Sequence, residues 1–202
     1  MLNLYLAARS GAALNLDAAV AFMEENRFIG PVSAEGEHPP GADAARLFDA
    51  NAHDELLPAE LTFEALRAVE RPRMVFVPEL QPVERFRTPR CTQCGDDIDL
   101  EALEPALAEV AFRSVGRFTY ECPACRNPLS INEIDFGQPT SVTRHWLYLE
   151  GAATSRLSAR VLEAISRAAG APLVVIPEMP DEEFEEPAVL RATRRRPGKW
   201  KR

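Results

Sequence analysis

Apolar residues recur with period two at the start of the chain, where Leu2, Leu4 and Leu6 alternate with Asn3, Tyr5 and Ala7. That pattern predicts a strand with one face in a core. The period then lengthens. Leu16, Ala19, Val20 and Met23 fall at i, i+3, i+4 and i+7, the spacing of one helix face, and Asn15 stands where an N-cap is wanted. Residues 31–43 carry Pro31, Gly36, Pro39, Pro40 and Gly41 and read as a surface loop. Phe63, Leu66 and Val69, spaced by three, predict a helix over about 58–70, and residues 74–77 an apolar strand that Pro78 and Pro82 close.

Farther along, Leu100, Leu103, Leu107 and Val110 predict a helical turn and then a helix, with Pro105 tolerated near the start of the second. Residues 117–121 read as a strand. Ser130 and Glu133 have capping-box spacing, which predicts a short helix reaching Phe136 and ending at Gly137-Gln138-Pro139. The last unit is a β-α-β pattern: a strand at 145–149, a helical stripe of Leu157, Val161, Leu162 and Ile165, and a strand at 173–176 after Gly170 and Pro172. Its two strands lie parallel if they share a sheet. Leu4-Tyr5-Leu6 and Leu147-Tyr148-Leu149 both open a strand-helix stretch, but further matches are too sparse for a repeat.

These elements imply an α/β or α+β chain: a small mixed sheet with helices, carrying an insert. The expected division is an N-terminal lobe at 1–84, an insert at 85–137, a β-α-β unit at 138–180 packed on the N-terminal lobe, and a flexible tail at 181–202. All the strands outside the insert need a shared sheet to hide their apolar faces.

The insert holds the strongest chemical signal. All four cysteines of the chain stand there as two matched pairs, Cys91-Thr92-Gln93-Cys94 and Cys122-Pro123-Ala124-Cys125. Two intervening residues let each pair turn both sulfurs toward one point, so the pairs can supply four thiolates to a tetrahedral ion. Gly95 and Pro123 suit such turns. Two disulfides, free buried thiols or a rubredoxin-like iron site would use the same residues. Duplication of the C-x-x-C pair has no redox rationale and favours a metal.

Residues 90–127 thus resemble a zinc ribbon, on Cys91, Cys94, Gly95, Cys122, Pro123 and Cys125. The resemblance covers about a fifth of the chain and departs from the commonest knuckle at two places, Thr92 for proline and Arg126 for glycine. It implies one structural zinc ion bound by Cys91, Cys94, Cys122 and Cys125. Four cysteines fill four positions and leave none for water or substrate, which disfavours metal-based hydrolysis.

Composition narrows the remaining choices. With 202 residues and 46% hydrophobic content the chain can bury a sizeable core. No run approaches the roughly 18 apolar residues of a membrane span. The apolar run after Met1 is short and lacks preceding basic residues, so no signal peptide is expected and the thiols suggest the cytoplasm. The net charge of −8 conceals an asymmetry. Seven of the last twelve residues are basic (Arg191, Arg194, Arg195, Arg196, Lys199, Lys201 and Arg202), which leaves 16 basic against 31 acidic groups elsewhere. An acidic run at 181–186 precedes this tail, which can be a solvated terminus, pair with the body or hold an anionic partner.

Three classes of function follow. A protein-recognition or adaptor protein fits a closed metal site, an inhibitor of a basic partner being a special case. Nucleic-acid binding needs clustered cations, yet residues 85–127 carry six basic against seven acidic groups, so a weak contact would fall to the tail with Trp200. Phe86, Phe112, Phe118 and Tyr120 are candidate stacking residues, although Phe118 and Tyr120 more often pack on a knuckle. An enzyme is the third class, but no phosphate-binding loop or nucleophile elbow appears. His38, His53 and His145 have no partner legible in sequence beyond Asp54 next to His53, and Asp99, near Asp97, is better placed to cap a helix before Leu100.

Overall fold

The computed structural model describes residues 2–9, 11–49, 60–77, 88–103, 105 and 119–178. In chain order its elements are β1 (Leu2–Ala8), α1 (Leu16–Glu25), β2 (Ala65–Val77), β3 (Arg90–Cys91), β4 (Thr119–Glu121), β5 (Pro128–Ser130), β6 (Ile134–Asp135), β7 (Ser141–Ala152), α2 (Ala159–Ala169) and β8 (Leu173–Pro177). Single 3-10 turns lie at Ala44–Leu47 and Ile131–Glu133, and residues 100–103 are helical.

The strands predicted at 2–7, 74–77, 145–149 and 173–176 do share one sheet, in the order β2-β7-β1-β8. Each adjacent pair is antiparallel. β7 and β8 run in the same direction, as the β-α-β pattern implies, but β1 lies between them; likewise β7 separates the parallel β1 and β2. Two interleaved split β-α-β units make an α+β, ferredoxin-like arrangement, with residues 78–140 inserted between them.

Residues on both faces of β1 are buried, so the one-faced strand expected at 2–7 is corrected. Leu4, Leu6 and Ala8 join the main core with Leu66, Leu147, Leu149, Met23 of α1 and Ile165 of α2. Tyr5 and Ala7 pack in another cluster with Val77, Trp146 and Ile176. Each fully buried leucine contributes about 1.5–3 kcal/mol by transfer from water. Both helices follow their sequence signals: Asn15 Oδ1 accepts the Ala18 N–H at 3.0 Å, and Gly170 ends α2 at φ +80°.

The two Leu-Tyr-Leu triplets lie side by side, Leu4 opposite Leu149, Tyr5 opposite Tyr148 and Leu6 opposite Leu147. The tyrosine ring centroids are 5.0 Å apart. Both hydroxyls donate to the Glu178 carboxylate, Tyr5 at 2.8 Å and Tyr148 at 3.2 Å, and Asn3 Nδ2 donates to it at 2.6 Å. Burial, reinforced by the negative charge of Glu178, pushes the Tyr148 hydroxyl up to about 12, so it stays a donor at neutral pH.

Two predicted helices are corrected. Residues 65–70 are strand: Phe63 and Leu66 enter the main core while Val69 packs with Trp146 in the other cluster, so the spacing by three did not mark one face. Pairing with β7 decides the conformation, since the register runs from Ala65 opposite Glu150 to Glu70 opposite His145 and resumes at Val75 opposite Thr143. The Ser130–Glu133 capping box is present but caps one 3-10 turn. Asn132 stops a longer helix by bonding the main chain of β7: Nδ2 donates to Val142 O at 3.1 Å and Oδ1 accepts the Val142 N–H at 2.6 Å. Ile134 and Asp135 then pair with Cys91 and Arg90.

The loop at 31–43 is exposed or half-buried except at His38, which is buried, pairs with Leu66 and turns Nδ1 toward Gly30 O (3.0 Å) and Glu24 Oε1 (3.3 Å). His145 Nε2 lies 3.3 Å from Glu70 Oε1. Among the described residues no helix is long and apolar enough to cross a membrane.

Candidate metal centre

The two knuckles share one backbone plan. In the first, Gly95 N–H donates to Cys91 O at 2.8 Å and Cys91 N–H to Asp96 O at 2.9 Å; in the second, Arg126 N–H donates to Cys122 O at 2.8 Å and Cys122 N–H to Asn127 O at 3.0 Å. The residue after each pair must take positive φ, +79° at Gly95 and +60° at Arg126. Arg126 therefore holds a conformation natural to glycine, which gives the departure noted in the sequence a cost of about 1–2 kcal/mol. A Cβ at Gly95 would meet nothing within 4 Å, so Gly95→Ala isolates the backbone term. It should cost about 1 kcal/mol, whereas Arg126→Gly should be neutral to stabilising by about 1 kcal/mol. Urea denaturation of both variants checks the contrast.

β3 and the β4-β5 hairpin bring the knuckles together. All four Sγ atoms lie within 4.8 Å of one another, with Cys91–Cys125 and Cys94–Cys122 at 3.8 Å. Four sulfurs at about 2.3 Å from a tetrahedral ion stand about 3.8 Å apart, so the donor set fits one metal ion. The thiols are free.

Charge balance favours a cation at that point. Burial pushes the Cys91 thiol up, but the N–H groups of Cys94 and Gln93 directed at its sulfur outweigh burial and lower it to about 7. At Cys94 the Asp96 N–H favours the thiolate, yet burial and the sulfurs of Cys91, Cys125 and Cys122 prevail and push it up to about 12. One thiolate thus suppresses its neighbour, and only a positive ion lets both persist. The sign for metal binding follows. An incoming ion displaces protons from the thiols it binds, Cys94 among them, so affinity falls with acid, and the fall steepens below the Cys91 value of about 7. Competition against a chromophoric chelator at about pH 6 and pH 8 measures it, and equal affinity at both contradicts it.

The surroundings tie the site to the sheet. Cys91 and Cys122 pack with Ile98, Leu103, Leu129, Ile131, Ile134, Phe136 and Val142, and with half-buried Met74, Phe76 and Tyr120. Tyr120 thus packs on the knuckles as expected; Phe86, Phe112, Phe118, Leu107, Val110, His53 and the basic tail lie outside the described residues. Asp99 does cap the turn at 100–103, accepting Glu101 N–H at 3.0 Å, while Asp97 pairs with Arg90 at 2.9 Å.

Sequence reasoning missed three neighbours of the site. Asp96 Oδ2 lies 3.7 Å from Cys94 Sγ. Thr92 donates to Glu133 O at 2.7 Å and locks the first knuckle to the capping-box turn. A cleft of about 530 Å³ opens beside that knuckle, lined by Arg9, Thr92, Gln93, Asn132, Glu133 and Pro172. Only the acid two residues beyond a C-x-x-C was visible as a signal. No protein-family model, curated protein or solved structure matches the chain.

Proposed function

We propose that the chain is a zinc-binding protein in which Cys91, Cys94, Cys122 and Cys125 hold one structural ion, and that it acts by recognising another protein. The observation that carries this reading is the closed donor set: four sulfurs at tetrahedral spacing leave no coordination position for chemistry. Zinc fits better than a hard cation because all four donors are soft thiolates. The surface favours protein over phosphate. Residues 88–103 and 119–137 carry Arg90 and Arg126 against seven acids, although Arg85, Arg87, Arg113 and Arg117 lie outside the described residues. The cleft beside the first knuckle offers mixed charge through Arg9 and Glu133, a pattern suited to polypeptide.

Nucleic-acid binding through the tail is the second reading, favoured by seven basic residues in the last twelve. The decisive comparison is full-length protein against a 1–186 truncation, titrated with single- and double-stranded DNA and RNA at two salt concentrations. No binding by either keeps protein recognition ahead. Weak, salt-sensitive binding lost on truncation assigns a nucleic-acid contact to the tail. Equal, salt-resistant binding by the truncation moves recognition to the ribbon and overturns the proposal.

A further inference from the structure

The four sulfurs are not equally reachable. Cys91 and Cys122 are each 1% exposed and Cys125 is half-buried, whereas Cys94 is exposed. Their electrostatic surroundings differ too. The Gln93 N–H, from 3.4 Å, and the Cys94 N–H both point at Cys91 Sγ and withdraw electron density, while Cys94 Sγ receives a single N–H, that of Asp96, and has a carboxylate oxygen of the same residue 3.7 Å away. A peroxide is attacked by the sulfur that is both accessible and electron-rich. Both properties put Cys94 first. The sulfur placed to meet it is Cys122 Sγ on the other knuckle, 3.8 Å away.

We infer that the centre is an oxidant-sensitive switch that opens at Cys94 and closes as a Cys94–Cys122 disulfide, an inference resting on the reading of these thiolates as a metal site. The Cys94 thiolate attacks one oxygen of hydrogen peroxide; the O–O bond breaks, hydroxide leaves and a sulfenic acid forms. The Cys122 thiolate then attacks that sulfur, forming the S–S bond as the S–O bond breaks and a second hydroxide departs. Two thiolates have lost two electrons, and one peroxide has become two hydroxide ions. Cys91 and Cys125 alone cannot close a tetrahedral sphere, so the ion is released.

The pairing crosses between knuckles because Cys122 Sγ on the second stands 3.8 Å from Cys94 Sγ on the first. The crossed bond leaves both turns in place. It staples the β4-β5 hairpin to the first knuckle, and a thiol reductant restores four thiolates to the same positions.

The test starts from reduced full-length protein carrying one zinc equivalent and adds hydrogen peroxide. Released zinc is followed with a chromophoric chelator and disulfides by peptide mass mapping. Zinc should leave in step with one Cys94–Cys122 link, and dithiothreitol with added zinc should restore the starting state. Cys94→His keeps four ligands, three sulfurs and a nitrogen, and should release zinc at least about tenfold more slowly. Asp96→Asn should slow release by about two- to threefold. A first disulfide within either C-x-x-C pair, or release from Cys94→His at the parent rate, overturns the inference. Starting protein without metal defeats the zinc reading and this inference together, whereas a full zinc equivalent that peroxide does not displace defeats this inference alone.

Discussion

Replacing Cys122 with serine is expected to empty the centre and to loosen the ribbon ahead of the sheet. Cys122 is buried beside Leu129, Ile131 and Phe136, and its N–H anchors the second knuckle on Asn127 O. Serine supplies no thiolate, so three ligands remain and metal affinity collapses. The apolar cluster is small, and an ion held by all four sulfurs would tie the two knuckles to each other directly. Amide exchange over 88–103 and 119–137 should rise by about a hundredfold or more, while β1 and residues 147–149 of β7, in the main core, keep their protection. Unchanged ribbon exchange in metal-free protein would mean that packing alone holds these segments.

Phe136→Ala is the second large effect, at about 3–5 kcal/mol. Phe136 is 1% exposed and meets Phe76 edge-on, with ring centroids 5.4 Å apart and planes at 83°. Since Phe76 belongs to β2 and Val142 to β7, the cavity would open at the joint between ribbon and sheet. With the ion bound, urea unfolding should therefore shift as one transition, because the same long strands serve both cores. As a control, Val32→Ala, at a residue 57% exposed, should change stability by less than about 0.5 kcal/mol. A two-step unfolding curve for Phe136→Ala would show that ribbon and sheet are separate cooperative units.

Local signals were legible where one residue type decides one geometry. Asn15, Ser130 with Glu133, Asp99 and Gly170 all cap the turns they promise, because a cap depends on three or four consecutive residues. The cysteine spacing was legible for the same reason, and the sulfurs do meet. What the chain alone did not disclose depends on distant partners. Nothing near Leu66 announces that residues 65–70 will bond β7 some eighty positions later, and period three in Phe63, Leu66 and Val69 imitates a helix. The helix expected to reach Phe136 failed because the Asn132 amide finds Val142, a partner ten residues away. Leu4-Tyr5-Leu6 and Leu147-Tyr148-Leu149 were visible as a likeness too slight for a repeat, yet they occupy equivalent central strands of the two split β-α-β units. Glu178, which gathers both tyrosines and Asn3, had no sequence signal at all.

The central claim is that four cysteines of this chain hold one zinc ion. Metal analysis of freshly purified, reduced full-length protein, combined with X-ray absorption at the metal edge, addresses it most directly. The account predicts one zinc per chain with four sulfur neighbours at about 2.3 Å. Well under one equivalent of zinc, a nitrogen or oxygen neighbour in place of a sulfur, or a mass showing two disulfides in fresh lysate would contradict it.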